Sequence, residues 1–321
     1  MLYKVITKLH FLKISEKLNK GKSLHRAVRL SNSNQLLRRE FDIPFFLVMI
    51  GQLERLELDD SSYLYAIGEI QDKLDDQRIR IDFLTPFINV ALVFSTALWL
   101  VKDNSVSSEY SFLYVEHENG PSTTSNGRYG SYFCNAKAES ETVEFNQLEL
   151  EQAMEFFKCL VVDDSLSRDT QEAYARLNGG APRLERSLYF LQAARAQNHL
   201  PTRITLYCTV LESLLSTDTT EITHKIAERA AWLLESEVDK RILIYKKIKT
   251  AYSIRSATIH GSALRKAFKT NEVLQKISIE TDNLLRRLLV EIITDDSLKH
   301  TFQEMNQEEL NDWFIRLSFQ N

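Results

Sequence analysis

The sequence predicts an α+β protein, with a mixed α/β amino-terminal domain over residues 1–180 and an all-α helical bundle over residues 181–321. Three observations carry that prediction. Glycine and proline number only 9 and 5 in 321 residues, so long helices meet few interruptions. Beyond residue 180 every periodic segment places apolar side chains at three-four spacing. Before it, aromatic and β-favouring runs are mixed with helical ones. A chain of this length also divides naturally into two units of about 150 residues, each large enough for its own core.

In chain order, residues 3–18 and 33–41 read as helical and basic, with His10, Lys20, Lys22, His25, Arg26, Arg29, Arg38 and Arg39 forming a solvated face in preference to an anion-binding surface. Ile43–Leu58 is strongly apolar at first and fits either a strand after Pro44 or a short helix, and Tyr63–Ile70 is equally two-sided. Phe83–Val101 carries no charge over 19 residues, close to membrane-spanning length. Pro86 is expected to start that helix and shorten it, and Asn89, Ser95 and Thr96 suit lipid poorly, so a buried core helix and no membrane association are expected.

Glu109–Glu116 (E-Y-S-F-L-Y-V-E) and Arg128–Cys134 (R-Y-G-S-Y-F-C) are expected to pair across the polar loop H-E-N-G-P-S-T-T-S-N-G, with Thr142–Phe145 as a further strand. Leu148–Val161 reads as an amphipathic helix with Leu150, Met154, Phe157 and Leu160 or Val161 inward. Asp163–Ala181 holds the strongest punctuation, ending N-G-G-A-P, and places the domain boundary near residue 180. Helices then follow at Leu184–Gln197, Pro201–Ser216, Ile222–Leu234, Lys240–Ile259 and Asn271–Ile293, with a short last one around Glu308–Leu317.

The three cysteines, Cys134, Cys159 and Cys208, form neither a disulfide framework nor a metal knuckle, which points to a reducing cytoplasm. The first residues intersperse lysines with apolar side chains and lack the continuous apolar core of a signal peptide. No phosphate-cradling glycine loop, paired H-x-x-x-H, CxxC pair or G-x-S-x-G elbow is present, so NTPase, zinc hydrolase and serine hydrolase chemistries lack their usual marks, and no cofactor or metal is expected.

The stretch with the most chemistry is Thr250–Ser262, T-A-Y-S-I-R-S-A-T-I-H-G-S. Apolar or aromatic side chains recur at Ile242, Tyr245, Ile248 and Tyr252, and the next steps fall on Arg255 and Ile259, which turns Arg255 inward. An inward guanidinium needs an anion, either a structural carboxylate or a phosphate-bearing ligand. Glu212, in the middle of V-L-E-S-L-L, is the structural candidate. His260 falls at the helix end with Gly261 suited to the left-handed closing position, where the helix dipole favours imidazolium. Tyr252 is a core residue on this pattern, and His224 in E-I-T-H-K is a surface histidine at a helix start.

Residues 239–270 hold nine Lys or Arg against one acid, a local net of +8 in a chain of net −4. Lys246, Lys247, Lys249, Arg265 and Lys266 there could draw a polyanion such as RNA, with strongly salt-dependent affinity, or simply solvate the outer face of the helix.

The blocks R-I-T-L-Y-C-T-V-L-E-S-L-L-S-T (203–217), E-I-T-H-K-I-A-E-R-A-A-W-L-L (221–234) and Y-S-I-R-S-A-T-I-H-G (252–261) resemble the Apea-like branch of the HEPN superfamily, over roughly residues 184–293. The resemblance implies a small helical bundle of HEPN type that commonly dimerises. It also implies a metal-independent endoribonuclease whose arginine and histidine, four to six residues apart, face each other across the dimer. Those roles fall on Arg255 and His260, with Ser256, Glu212 and Tyr252 supporting.

Where nuclease members often carry an amide or acid after the arginine, this chain carries Ser256. That departure keeps open a second class, a non-catalytic module that binds RNA or a partner protein. The family further implies RNA, tRNA included, as substrate, a toxin or anti-phage role, and an antitoxin or phage-derived trigger as partner. A membrane-associated effector acting through Phe83–Val101 is the third class.

Overall fold

The computed structural model describes residues 1–71, 74–127, 132–161 and 180–319. The punctuated stretch expected at Asp163–Ala181 therefore lies, up to residue 179, outside the described residues, as do residues 128–131 of the expected strand Arg128–Cys134. The protein is α+β, and its chain forms two compact units: Met1–Tyr132 with Ser140–Ala173, and Phe133–Glu139 with Tyr174–Asn321.

The first unit is built on a six-stranded antiparallel sheet. Its strands are β1 (Leu2–Leu9), β3 (Lys22–His25), β4 (Val28–Ser31), β5 (Ser62–Glu69), β6 (Ser111–His117) and β7 (Gly120–Asn126), in the order β3-β4-β5-β1-β6-β7. A separate parallel pair joins β2 (Leu12–Ile14) to β8 (Val143–Phe145). The sheet corrects the helix expected at residues 3–18. Lys4 and Lys8 are four apart, a spacing close to one helical turn but also even, so it equally marks one face of a strand. The β-branched run Val5, Ile6, Thr7 and burial between two neighbouring strands decide for strand.

The even face of β1 puts Ile6 into a core with Tyr63, Tyr65, Phe112 and Tyr114, covered by Leu36, Leu37 and Phe41 of α1 (Asn34–Phe41), Phe46 and Ile50 of α2 (Pro44–Ile50) and Leu58 of α3 (Gln52–Leu58). The apolar Ile43–Leu58 run is thus two short helices hinged at Gly51, whose φ of 92° belongs to glycine. Tyr63–Ile70 resolves to strand β5. The odd face meets α4 (Gln77–Val101), with Tyr3 edge-on to Phe83 at 5.1 Å between ring centroids.

Helix α4 starts earlier than expected. Asp76 caps it, its side chain accepting from the Arg78 N–H at 2.7 Å, and Pro86 lies inside the helix instead of opening it. Among the described residues α4 is the one helix long and apolar enough to cross a membrane, and 67% of its apolar window is buried within the protein. Its hydroxyls are satisfied locally: Thr96 donates to Leu92 O at 3.1 Å and Ser95 donates to Val106 O.

The partner of β6 is a further correction. Strand β7 is G-P-S-T-T-S-N, drawn from the polar loop itself, and the hairpin turns at Glu118 and Asn119. An edge strand tolerates Pro121 and polar side chains that a central one would not. Helix α5 (Gln147–Leu160) closes the unit with a capping box of Asn146 and Glu149, and buries Leu150, Ala153, Met154, Phe156 and Phe157.

The second unit is helical: α6 (Arg183–Arg195), α7 (Leu200–Leu215), α8 (Ile222–Leu234), α9 (Val238–Ile259), α10 (Asn271–Thr294), α11 (Asp296–Glu304) and α12 (Gln307–Ser318), with a 3-10 turn at Lys266–Phe268. Pro201 sits in the first turn of α7, where its missing N–H costs nothing. Thr270 caps α10 and a capping box of Asn306 and Glu309 opens α12.

Helix α7 is the axis, with Ile204, Tyr207, Cys208, Val210, Leu211, Leu214 and Leu215 all buried as α6, α8, α9 and α10 pack around it. The strap Phe133–Glu139, taken from the first half of the sequence, is bound into this unit. Its Cys134 N–H donates to Arg195 O at 2.9 Å, and Gln275 of α10 donates to Glu139 Oε1 at 3.1 Å.

Candidate functional site

The carboxyl end of α9 closes as its sequence dictates. Gly261 takes φ +66°, a value open to glycine, and the Ser262 N–H reaches back to Ala257 O at 2.9 Å in a Schellman closure. His260 occupies the cap, donates its N–H to Ser256 O at 3.1 Å and leaves its ring exposed. Ser256 is also exposed.

The apolar rhythm on α9 is narrower than expected. Ile244, Ile248, Ala251, Tyr252 and Ile254 are buried, while Ile242 is 44% and Ile259 58% exposed. Arg255 falls on the inward arc but keeps 32% of its side-chain surface. It is directed inward and not sealed.

Its partner is the carboxylate the sequence offered: Arg255 Nη2 stands 3.3 Å from Glu212 Oε1 and 3.5 Å from Oε2. The pairing is incomplete, because Arg255 Nε and Glu212 Oε1 are buried atoms without a well-formed hydrogen bond. The 3.3 Å approach is within ion-pair reach but off-axis for a hydrogen bond. A buried donor left over on a guanidinium can take a further acceptor, although Arg186 Nε is buried in the same condition and the feature alone does not mark a site.

Around this pair the packing is acid-suppressing. The Tyr252 hydroxyl approaches Cys208 O at 3.4 Å, and burial, followed by Cys208 and Glu212, pushes the phenol well above its usual range. Burial first, and Glu212 second, likewise raise the Cys208 thiol. Both groups stay neutral, so Arg255 and Glu212 are the charged members of the cluster.

Arg255 and His260 are five residues apart, which separates them by about 140° around the helix and about 7.5 Å along it. One chain therefore does not bring the two side chains onto a common point. Among the basic residues, Lys247 lies 3.8 Å from Glu280 and Lys240 2.8 Å from Glu237. Lys246, Lys249, Arg265 and Lys266 are exposed, and among the described residues none has an ion-pair partner.

Two features escape sequence reasoning. Arg203, read as the start of an apolar helix, is 0% exposed and donates to four backbone carbonyls: Ala194 at 3.1 Å, Arg195 at 2.7 Å, Cys134 at 3.2 Å, and Asn135. His224 Nδ1 lies 2.8 Å from the Tyr245 hydroxyl, a contact across 21 residues. Period-based reading had no signal for either partner.

In the first unit His117 Nε2 meets Ser122 Oγ at 2.7 Å. Its Nδ1, however, is shared between Met1 sulfur at 3.1 Å and an exposed Asp75 carboxylate at 3.4 Å, which ties a hairpin and does not orient a base. Among the described residues no three His, Cys, Asp or Glu side chains converge as a metal site, and the three cysteines are free. Compared with known proteins, the chain matches no family model, no curated protein and no solved structure.

Proposed function

We propose that the protein is a HEPN-type, metal-independent endoribonuclease that works as a homodimer. The observation carrying this reading is the pair on α9: a half-open guanidinium at Arg255 with a spare buried donor, five residues before an exposed His260 on a glycine-closed helix end. In this reading Arg255 holds the scissile phosphate and stabilises charge on its oxygens, while His260 takes the proton from the RNA 2′-hydroxyl. The 2′-oxygen attacks phosphorus, the bond to the 5′-oxygen breaks, and a second His260 from the partner copy protonates that leaving oxygen. The products are a 2′,3′-cyclic phosphate and a 5′-hydroxyl, and DNA, lacking the nucleophile, survives.

The reading requires the dimer, because one chain supplies a single His260 and the two proton transfers use two. Glu212 holds Arg255 in place between turnovers, and the free cations Lys246, Lys249, Arg265 and Lys266 draw the strand in, with Lys247 beside them. A cytoplasmic toxin or anti-phage effector, acting on tRNA or other RNA and released by loss of an antitoxin or by a phage-derived trigger, is the setting this chemistry suits.

The non-catalytic module is the second reading, favoured by Ser256 and by the carboxylate already facing Arg255. The separating experiment incubates purified protein with total RNA and tRNA in EDTA beside Arg255→Ala and His260→Ala. Cleavage by the parent that both variants lose supports the nuclease. RNA binding without cleavage supports the module, and equal residual cleavage in all three sinks the assignment of these residues.

A further inference from the structure

The contact between His224 and Tyr245 has a position that matters. Tyr245, Lys249, Ser256 and His260 fall within an arc of about 60° on α9 and span about 22 Å along it. At one end of this strip stands the exposed His260. At the other, the His224 ring from α8 meets the Tyr245 ring edge-on at 5.6 Å between centroids, its Nδ1 2.8 Å from the phenol oxygen. Lys249 Nζ lies 5.4 Å from the same tyrosine ring, and its charge has no carboxylate partner among the described residues. Lys246, exposed and likewise without an ion-pair partner among the described residues, borders the arc.

A half-buried tyrosine pinned by a histidine, with an unneutralised ammonium over its ring, is more order than a solvated surface needs. The hydrogen bond fixes the phenol, and the lysine stands where a phosphate would neutralise it. Aromatic surface joined to backbone-tracking charge is how single strands are held, since unstacked bases offer their π-faces and duplexed ones do not.

We propose that His224, Tyr245 and Lys249 form a subsite for single-stranded RNA, holding one nucleotide about 22 Å along α9 from His260. The subsite rests on the reading that RNA is the ligand, and it is independent of whether the RNA is cut. Tyr245 gives π-surface to a base, Lys249 takes the adjoining phosphate, and His224 holds Tyr245 in place. The consequence for substrate class is a preference for unpaired loops and tails over continuous duplex.

The test uses the full chain carrying His260→Ala, so that bound RNA stays intact, and a fluorescein-labelled 12-nucleotide RNA read by anisotropy over a series of salt concentrations. The same oligonucleotide annealed to its complement is the comparison. Expected are tighter binding of the single strand, a loss of at least about fivefold with Tyr245→Ala, and a smaller loss with Tyr245→Phe, which keeps the ring but not the hydrogen bond with His224. Lys249→Ala, on an exposed face where folding is not at stake, should lower the slope of log affinity against log salt by about one.

Parental affinity and slope in both Tyr245→Ala and Lys249→Ala would overturn the subsite and leave the nuclease reading standing. Equal or tighter binding of the duplex would overturn it as well. Binding lost in these variants, alongside a parent with intact His260 that never cleaves, would confirm the subsite and remove the catalysis. A parent that binds neither RNA would remove RNA as ligand, and the subsite with it.

Discussion

Arg203 and Arg255 are arginines of adjacent helices in the same unit, and their surroundings are opposite. The Arg203 guanidinium is fully enclosed and spends its donors on four carbonyls that end α6 and hold the strap at Cys134 and Asn135. Arg255 meets a single carboxylate off-axis, keeps a third of its surface and leaves Nε over. A buried cation can be stabilised by dipoles alone when enough of them converge, and it is then structural. A cation given one loose counter-ion at a helix end retains bonding capacity for something that arrives later.

The largest effect that sharpens this contrast is on stability. Arg203→Ala should remove four hydrogen bonds from a fully buried site, three of them to carbonyls that keep a backbone donor, and destabilise the protein by about 3 kcal/mol or more through lost bonds and lost packing. This is seen as a fall in the denaturant midpoint, and Arg203→Lys should recover little because one ammonium cannot reproduce the fork. A midpoint unchanged in Arg203→Ala would break the comparison outright.

Arg255→Ala is expected to do the reverse. Stability should move by less than about 1 kcal/mol, while RNA cleavage measured at saturating substrate falls by about 10²–10³-fold. Next in size is Gly261→Ala, where no neighbouring atom lies within 4 Å of an added Cβ, so the cost is conformational alone. About 1 kcal/mol of unfolding free energy should be lost, with cleavage reduced because the cap that aims His260 is disturbed. Smallest is Glu212→Gln. Removing the negative charge beside Arg255 should change stability by less than about 1 kcal/mol and tighten RNA binding at low salt. Weaker binding in that variant would show the carboxylate to be an aid to the ligand and not a competitor.

The helical unit was legible because its cores repeat at three-four spacing and two of its ends carry signals read from the sequence, Pro201 and Gly261, while the caps Thr270 and Asn306 came only with the structure. The sheet was harder to read. Lys4 and Lys8 fit a helix turn and a strand face equally, and β7 is made of residues that otherwise mark loops, so only its position at a sheet edge explains it. Within the site, the cap at His260 and the candidacy of Glu212 were local and visible. The packing that leaves Arg255 half open, the strap under Arg203 and the joining of His224 to Tyr245 depend on residues 21 to 69 positions apart, and no periodicity encodes them.

The strap at Phe133–Glu139 carries a consequence for inheritance. A bundle excised at the obvious seam near Gly180 would leave behind the peptide whose Cys134 and Asn135 carbonyls occupy half of the Arg203 fork. Recombination that shuffled this helical module onto another gene would have to carry those seven residues along, or invent a replacement for them.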